Sequence, residues 1–298
     1  MRLFKVFRIA SSRIEEFEIL SGTLLLNFFS KRDITSFEDK IKYTKKRYPF
    51  VKMIVCSELA ICGAGKGFAE PKLHEVSTVL CEVAKELSVW LVPGSIHEID
   101  GDQTFNTAIV INPEGKLISK FRKLCPFLPY ERGISAGENI CCFDVPNVGR
   151  FGLFICYDIW FPEISRAMIA DGAEVLLHPT LTDTNDRKIE KSMVVATAAQ
   201  QQCYVVNING AGDLGVGQSM LVGPEGDIIH ESQSTEEILL FEADFNKVRR
   251  TRERGILCLG QPLKTYRDQI LTKEKFKNLN ESDFLNNLGE LSIPSDDS

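Results

Sequence analysis

A cysteine at the end of an apolar run could supply a nucleophile to a bound substrate. Cys156 lies in the segment GRFGLFICYDIWFPEISRA, residues 149–167, where the apolar run predicts a strand and Pro162 predicts the first turn of a helix. Ligands of open α/β proteins bind beyond the carboxyl ends of the strands, and the amides after such a turn, Tyr157 first, can face a developing oxyanion. A buried structural cysteine would occupy the same position, so this segment alone leaves both interpretations open.

Two other segments end in groups that could activate a thiol. The apolar run VKMIVCSE ends in Glu58, and the segment FRKLCPFLPYERG carries Lys123 at the end of a predicted strand. A thiol with a pKa of about 8.5 is only a few per cent ionised at neutral pH, so it needs a base or a cation. Glu58 can accept the proton and Lys123 can stabilise the resulting charge. Each residue taken singly is also compatible with an ordinary surface charge at a strand end.

The elements that position these residues alternate between short β-branched runs and longer amphipathic runs, which is typical of an α/β fold. Helices are predicted in residues 71–87, 162–170 and 187–202. Strands are predicted in residues 51–56, 89–96, 104–112, 116–121, 151–156, 175–178, 204–208, 218–222 and 238–243. The segments NTAIVINPEGKLI and GQSMLVGPEGDII are alike, and their Pro-Glu-Gly turns lie 111 residues apart. This similarity predicts a duplicated half-domain, with two sheets packed face to face and helices outside.

Taken together, the three segments resemble the nitrilase superfamily of carbon–nitrogen hydrolases. Glutamate after a first-half strand, Arg-Lys after the Pro-Glu-Gly hairpin, and Cys-Tyr-Asp with Phe-Pro-Glu occur in the order of that family. The resemblance covers residues 38–267 and implies a four-layer α-β-β-α sandwich, a Glu58, Lys123 and Cys156 triad, and a homo-oligomer. Residues 1–37 match poorly because they lack the family's clean first strand. We predict a hydrolase domain over residues 1–267 and a C-terminal extension over 268–298.

The loop after Lys123 is similar to that of the aliphatic amidase and formamidase branch. Prolines stand three and six residues after this lysine, and Glu131 stands eight residues after it. The resemblance implies that Glu131 orients the substrate. Phe127 replaces the tryptophan usual in that branch, and Cys-Tyr-Asp replaces its Cys-Asp-Asp. The Cys-Tyr-Asp sequence is closer to that of ω-amidase and carbamoylase relatives. The smaller Phe127 ring predicts room for an acyl group longer than that of formamide or acetamide.

The predicted function is hydrolysis of a small aliphatic carboxamide to a carboxylate and ammonia through a Cys156 thioester. Lys123 and the Tyr157 amide are expected to hold the oxyanion, at roughly 3 kcal/mol per donor. Glu58 is expected to protonate the departing ammonia and then to activate water. Phe127 and Tyr157 are the expected substrate-binding residues. An N-carbamoyl hydrolase or a nitrilase with the same triad, and a non-catalytic scaffold or binding protein on this fold, remain alternatives.

Two other polar residues near these segments have structural interpretations. Asp158 follows Tyr157 and points the opposite way along an extended segment, which favours a supporting role. His178 ends the apolar run EVLLHPT. A histidine before proline at a buried strand end is typical of a hydrogen-bonded core residue, although it could reach the crevice.

Composition excludes several other classes of protein. The 298 residues have a formal net charge of -6, which disfavours nucleic-acid binding. Nine cysteines without CxxC pairs indicate a reducing, cytoplasmic compartment, and the four histidines form no HxxxH pair, so we expect no metal and no cofactor. The apolar stretch at residues 19–29 is too short and too polar to span a membrane. The expected partner is a small amide.

Overall fold

Apolar runs form the strands of two β-sheets that pack face to face. The computed structural model describes residues 16–23, 34–61, 63, 73–212 and 215–273. The first sheet has eight strands in the order β14-β1-β2-β3-β5-β4, with β6 and β7 also paired to β5. These strands are β1 (Glu16–Thr23), β2 (Met53–Val55), β3 (Trp90–Val92), β4 (Ser95–Asp100), β5 (Gln103–Ile111), β6 (Leu117–Arg122), β7 (Ile134–Ser135) and β14 (Glu237–Asp244).

The second sheet has six strands in the order β13-β12-β11-β10-β9-β8. They are β8 (Cys141–Val145), β9 (Gly149–Leu153), β10 (Val175–Thr180), β11 (Tyr204–Asn209), β12 (Met220–Val222) and β13 (Ile228–Glu231). Strands β9, β10 and β11 run parallel, so their carboxyl ends meet at one edge. Every residue of β10 and β11 is buried, as expected for central parallel strands covered on both faces.

Helices cover the outer face of each sheet. They are α1 (Ile34–Arg47), α2 (Leu73–Leu87), α3 (Pro162–Ala170), α4 (Arg187–Gln201), α5 (Phe245–Arg254) and the short α6 (Pro262–Thr265). Phe37 of α1 and Leu80 of α2 pack with Leu91 on the first sheet. Met168 of α3 and Val194 of α4 belong to the core of the second sheet. In the part of the chain that the structure describes, no helix has the length and apolar content to cross a bilayer.

Alternation along the strands of the first sheet separates two apolar cores. Met53 and Val55 of β2 pack toward the second sheet, together with Leu153. Ile54, between them, packs with α1 and α2 instead. Successive side chains of a strand point to opposite faces, so one short run of apolar residues serves both layers. The predicted four-layer α-β-β-α sandwich is therefore confirmed.

Most predicted elements are present, and one predicted strand is wrong. The helix at residues 162–170 matches α3, and the helix predicted at 187–202 ends at Gln201 because Gln202 has a φ of +47°. Residues 89–96 form no single strand, because the chain turns at Gly94 with a φ of +84° and separates β3 from β4. A side chain there would place Cβ 1.9 Å from the Ser57 carbonyl oxygen, so only glycine fits.

The two Pro-Glu-Gly hairpins occupy corresponding places in the two sheets. One joins β5 to β6, and the other joins β12 to β13. The two sheets are not identical, because β4 and β7 pair with β5 only in the first sheet. In addition, β14 follows the second half in the chain but pairs antiparallel with β1 in the first sheet. Residues 16–23 thus contribute a strand although their region matches the family pattern poorly. The boundary between residues 267 and 268 stays a prediction, and residues 274–298 lie outside the described part.

Candidate active site

Glu58 lies in a tight turn after β2, between the two sheets. Its backbone N–H donates to the carbonyl oxygen of Thr180 at the end of β10 (3.3 Å). Leu59, the next residue, has a φ of +51°, and its N–H donates to the Ser95 hydroxyl (3.1 Å). The Glu58 side chain is only 3% exposed, and its Oε1 accepts from the Asn106 amide at 2.8 Å. The turn therefore fixes a buried carboxylate at the edge where β2 and β10 end.

Lys123 is the first residue after β6 and is buried among carboxylates. Its N–H donates to the carbonyl oxygen of Asn106, and its own carbonyl accepts from the Gly137 N–H, each at 2.8 Å. The ammonium lies 3.1 Å from Glu58 Oε1 and 3.0 Å from Glu131 Oε2. Its side chain is 1% exposed. One cation thus bridges two carboxylates that come from different segments of the chain.

The loop after Lys123 carries Glu131 and the aromatic wall of the site. Glu131 Oε2 accepts from the Phe127 N–H as well as from Lys123. The Phe127 ring packs against Tyr130, with centroids 5.0 Å apart, and against Tyr157 at 4.8 Å. The structure therefore places Phe127 and Tyr157 side by side, and Glu131 beside Lys123.

Cys156 begins a five-residue 3₁₀ helix (Cys156–Trp160) three residues after the end of β9. Its φ of +47° lies in the left-handed region, which is unusual for a side chain with Cβ and is often found at functional sites. The thiol lies close enough to Glu58 and Lys123 for their charges to act on its pKa in opposite directions, Glu58 raising it and Lys123 lowering it. The structure thus brings Glu58, Lys123, Glu131 and Cys156 together.

Asp158 joins the cysteine turn to the lysine loop. One carboxylate oxygen accepts from the Ile155 N–H at 2.9 Å, and the other accepts from the Cys125 N–H at 2.8 Å. Burial raises the pKa of Asp158 to about 7, against the effect of these two bonds. Asp158 has the supporting position that the sequence analysis favoured, but the expected extended segment is wrong, because residues 156–160 form a 3₁₀ helix. The bridge to Cys125 was not predicted.

The ionisation of the cluster is set by burial and by mutual attraction. Burial raises the pKa of Glu58, and Lys123 opposes this rise. Burial alone would lower the pKa of Lys123, but Glu58, Cys156 and Glu131 together raise it well above its usual range. Burial, reinforced by Glu58, raises the pKa of the Cys156 thiol. The resting site is therefore a charged lysine between carboxylates, beside a protonated thiol.

A small pocket opens onto Cys156. Its volume is about 110 Å³. One wall is aromatic (Phe127, Tyr157 and Trp160), and the other comes from residues 181–184 with Asp186 and Glu190. The described residues that line the pocket include three acidic residues, Asp183, Asp186 and Glu190, and no lysine or arginine. Sequence reasoning missed this second wall, although its position after β10 follows the same rule that identified Cys156 after β9.

Comparisons with known proteins identify the family to which this chain is similar. Residues 37–253 match the family model described as carbon-nitrogen hydrolase. The Arabidopsis thaliana protein named "Omega-amidase, chloroplastic" is 32% identical over 191 residues, which cover 59% of this chain and 52% of that protein. Human "Omega-amidase NIT2" is 29% identical over 202 residues, which cover 63% of this chain and 73% of that protein.

A solved structure shows the same fold. The crystal structure of a carbon-nitrogen hydrolase from Helicobacter pylori G27 superposes with a TM-score of 0.74 at 22% identity, covering 88% of this chain and 98% of that chain. The chain therefore spans nearly all of that structure, but only about half the length of the Arabidopsis relative.

Proposed function

We propose, since the chain belongs to the carbon–nitrogen hydrolase family, that it hydrolyses a small aliphatic carboxamide to a carboxylate and ammonia through a thioester on Cys156. The family and its amidase members agree with the enzyme class expected from the motifs. The observation that carries the finer proposal is the contact of Lys123 Nζ with both Glu58 (3.1 Å) and Glu131 (3.0 Å), beside the Cys156 thiol, whose pKa both Glu58 and Lys123 affect.

The first half-reaction forms the thioester. The Cys156 sulfur attacks the amide carbonyl carbon while the thiol proton passes to Glu58, and the carbonyl electron pair moves to the oxygen. Lys123 and the Tyr157 N–H stabilise that oxyanion. When the tetrahedral intermediate collapses, the C–N bond breaks and Glu58 returns the proton to the nitrogen, which leaves as ammonia.

The second half-reaction uses the same base. Glu58 takes a proton from water, and the hydroxide attacks the thioester carbonyl carbon. The C–S bond then breaks, and the proton on Glu58 passes to the Cys156 sulfur. The carboxylic acid leaves and releases its remaining proton to solvent as it ionises to the carboxylate. Glu131 holds Lys123 and the Phe127 N–H in place, so we assign it to orienting the lysine and the substrate amide.

The size of the pocket supports a short acyl chain. A volume of about 110 Å³ is well below the roughly 300–1,000 Å³ of pockets that bind drug-sized ligands. Phe127 and Tyr157 give it apolar surface for an alkyl group. The proposed substrate is therefore a short-chain amide.

The charge of the pocket supports a neutral substrate over an anionic one. Asp183 and Asp186 stand on its wall, and the described lining has no cation to pair with a second carboxylate. The relatives named ω-amidases nevertheless make an ω-amide of a dicarboxylic acid the second candidate. N-carbamoyl and nitrile substrates, which would use the same residues, belong in the same test.

Ammonia release from a panel tests the proposal. The panel contains propionamide and butyramide, the anionic ω-amide succinamate, an N-carbamoyl amino acid and propionitrile, each run with the native chain and with Cys156→Ala. We expect the neutral amides to exceed succinamate by at least about tenfold in kcat/KM, and Cys156→Ala to release none. Preference for succinamate would assign the ω-amidase activity instead, and ammonia from Cys156→Ala would refute the thioester mechanism. The homo-oligomer, the cytoplasmic location and the aliphatic amidase branch stay predictions.

A further inference from the structure

A chain of buried polar side chains leads from α4 to the backbone of Cys156. Arg187 Nη2 donates to Asn207 Oδ1 at 2.6 Å, and Asn207 Nδ2 donates to His178 Nδ1 at 2.9 Å. His178 Nε2 lies 2.9 Å from the carbonyl oxygen of Cys156. His178 and Asn207 are directly paired in the register of β10 and β11, and both are fully buried.

The chemistry at each end of this chain fixes the direction of every hydrogen bond. A guanidinium only donates, so Arg187 orients the Asn207 amide with its oxygen toward α4 and its nitrogen toward His178. The Asn207 nitrogen also only donates, so His178 Nδ1 must accept and the proton must be on Nε2. Burial lowers the pKa of His178 to about 4, which keeps the ring neutral at physiological pH. A neutral Nε2–H tautomer is the form that can donate to the Cys156 carbonyl.

That carbonyl belongs to the same peptide group as the Tyr157 N–H. A peptide group is planar and trans, so its C=O and N–H point in opposite directions and holding one aims the other. The φ of +47° at Cys156 is a conformation that the chain does not favour by itself. A fixed donor on the carbonyl therefore determines where the Tyr157 N–H points.

We propose that His178 is a positioning residue, whose Nε2–H holds the Cys156 carbonyl so that the Tyr157 N–H of the same peptide faces the substrate oxygen in the transition state. The inference rests on the proposed amidase function. The Phe154 ring, stacked on His178 with centroids 4.4 Å apart, keeps the imidazole plane in place. Arg187 is itself held by Glu190, 3.0 Å away, which also accepts from the hydroxyls of Thr180 and Thr182.

Two reactions of Cys156 separate this role from general support of the site. Amide hydrolysis develops an oxyanion and needs the Tyr157 N–H, whereas alkylation by iodoacetamide displaces iodide at a methylene carbon and develops none. For His178→Leu we expect kcat for the best amide of the panel to fall about 10- to 100-fold, with KM and the Cys156 alkylation rate each within about threefold of native. His178→Gln, whose amide N–H can replace Nε2–H, should recover at least about fivefold of the lost kcat.

The control is His230→Leu, because His230 is exposed on β13 and its ring contacts Glu237 outside the site. It should leave both reactions unchanged. Equal losses of hydrolysis and alkylation in His178→Leu, or no gain from glutamine over leucine, would overturn the proposal. If His178→Leu does not fold, the kcat of His178→Gln and the tautomer of His178 in the native protein test the proposal. ¹⁵N NMR of the native protein labelled at histidine must then show one histidine as the Nε2–H tautomer from about pH 5 to 8. An Nδ1–H tautomer would refute it.

Failure of this inference is distinguishable from failure of the proposed function. Retention of ammonia release by Cys156→Ala would remove the thioester mechanism altogether. An inactive Cys156→Ala together with a fully active His178→Leu would leave that mechanism in place and refute only the role of His178.

Discussion

Replacing Lys123 by methionine removes a buried cation while nearly preserving the volume of its side chain. The variant leaves the Glu58 carboxylate, 3% exposed, without the ammonium 3.1 Å away. Breaking a buried ion pair by deleting one partner costs about 3–5 kcal/mol because the remaining charge stays desolvated. Glu131 loses the same partner but is 21% exposed, so water can compensate it better. The dominant cost therefore comes from Glu58.

Protonation of Glu58 limits that cost and makes it depend on pH. Keeping a carboxyl group protonated costs about 1.4 kcal/mol for each pH unit above its unperturbed pKa of about 4.3. The penalty for Lys123→Met is therefore roughly 4 kcal/mol near pH 7 and about 1 kcal/mol near pH 5. The sign follows from linkage: burial already raises the pKa of Glu58, and losing Lys123 raises it further. The Lys123→Met variant therefore keeps most of its stability at low pH and loses it as pH rises.

Urea unfolding at the two pH values measures this difference. Lys120→Met is the matched control, because Lys120 lies in β6 three residues before Lys123, is 40% exposed and pairs with Glu98 at 2.9 Å. That substitution should cost no more than about 1 kcal/mol at either pH. Adding Glu58→Gln to Lys123→Met should recover most of the deficit at neutral pH, since the stranded carboxylate is gone. A deficit equal at both pH values, or unchanged in the double variant, would refute the reasoning.

Three further predictions concern the neighbourhood of the cluster. Glu58→Gln should lower kcat at least about 100-fold, and the native acid limb of kcat/KM should lie above the usual pKa of a glutamate, since burial raises the pKa of Glu58 and the base must be ionised. Asp158→Asn should lower the free energy of unfolding by about 1–3 kcal/mol, because an amide nitrogen must face one of two N–H donors. The folded protein raises the pKa of Asp158 to about 7, so the stability that this group contributes to the native protein falls as pH rises. The difference in unfolding free energy between the native protein and Asp158→Asn, measured with urea, should therefore shrink from about pH 4 to pH 7. Gly94→Ala should reduce kcat and stability by displacing Ser57 next to Glu58, whereas Gly101→Ala, with a φ of +61° and nothing within 4 Å, should cost only about 1 kcal/mol and leave kcat unchanged. Equal effects of the two glycine substitutions would contradict the account of the Glu58 turn.

The residues of the cluster could be predicted because each ends an apolar run. Each of the three triad residues comes within three residues of the end of a strand, and in an α/β sandwich such positions converge at one edge. The order of the segments and the resemblance that they carry were enough to place Glu131 with them. The spacing of apolar residues and the place where an apolar run ends are local properties of the chain, so a single sequence reveals them.

Contacts that depend on strand register and on close approach could not be predicted. The Gly94 turn depends on how near the Ser57 carbonyl lies, and no pattern within residues 89–96 indicates that distance. The pairing of His178 with Asn207 depends on how β10 aligns with β11. The residues directly before these two are apolar in both strands, so the sequence does not indicate the alignment. The pairing of β14 with β1 joins the two ends of the domain, a contact that local periodicity cannot specify.

The base and the nucleophile come from different sheets, so packing of the sheets sets the distance between them. The first sheet supplies Glu58 and Lys123, and the second supplies Cys156. Two hydrogen bonds cross between the halves beside the site: Glu58 N–H to Thr180, and Cys125 N–H to Asp158. Neither half alone would form the site, because Glu58 belongs to one half and Cys156 to the other. The predicted duplication of a half-domain would account for the scaffold, whereas the proposed activity requires the two halves to carry different residues at the ends of corresponding strands.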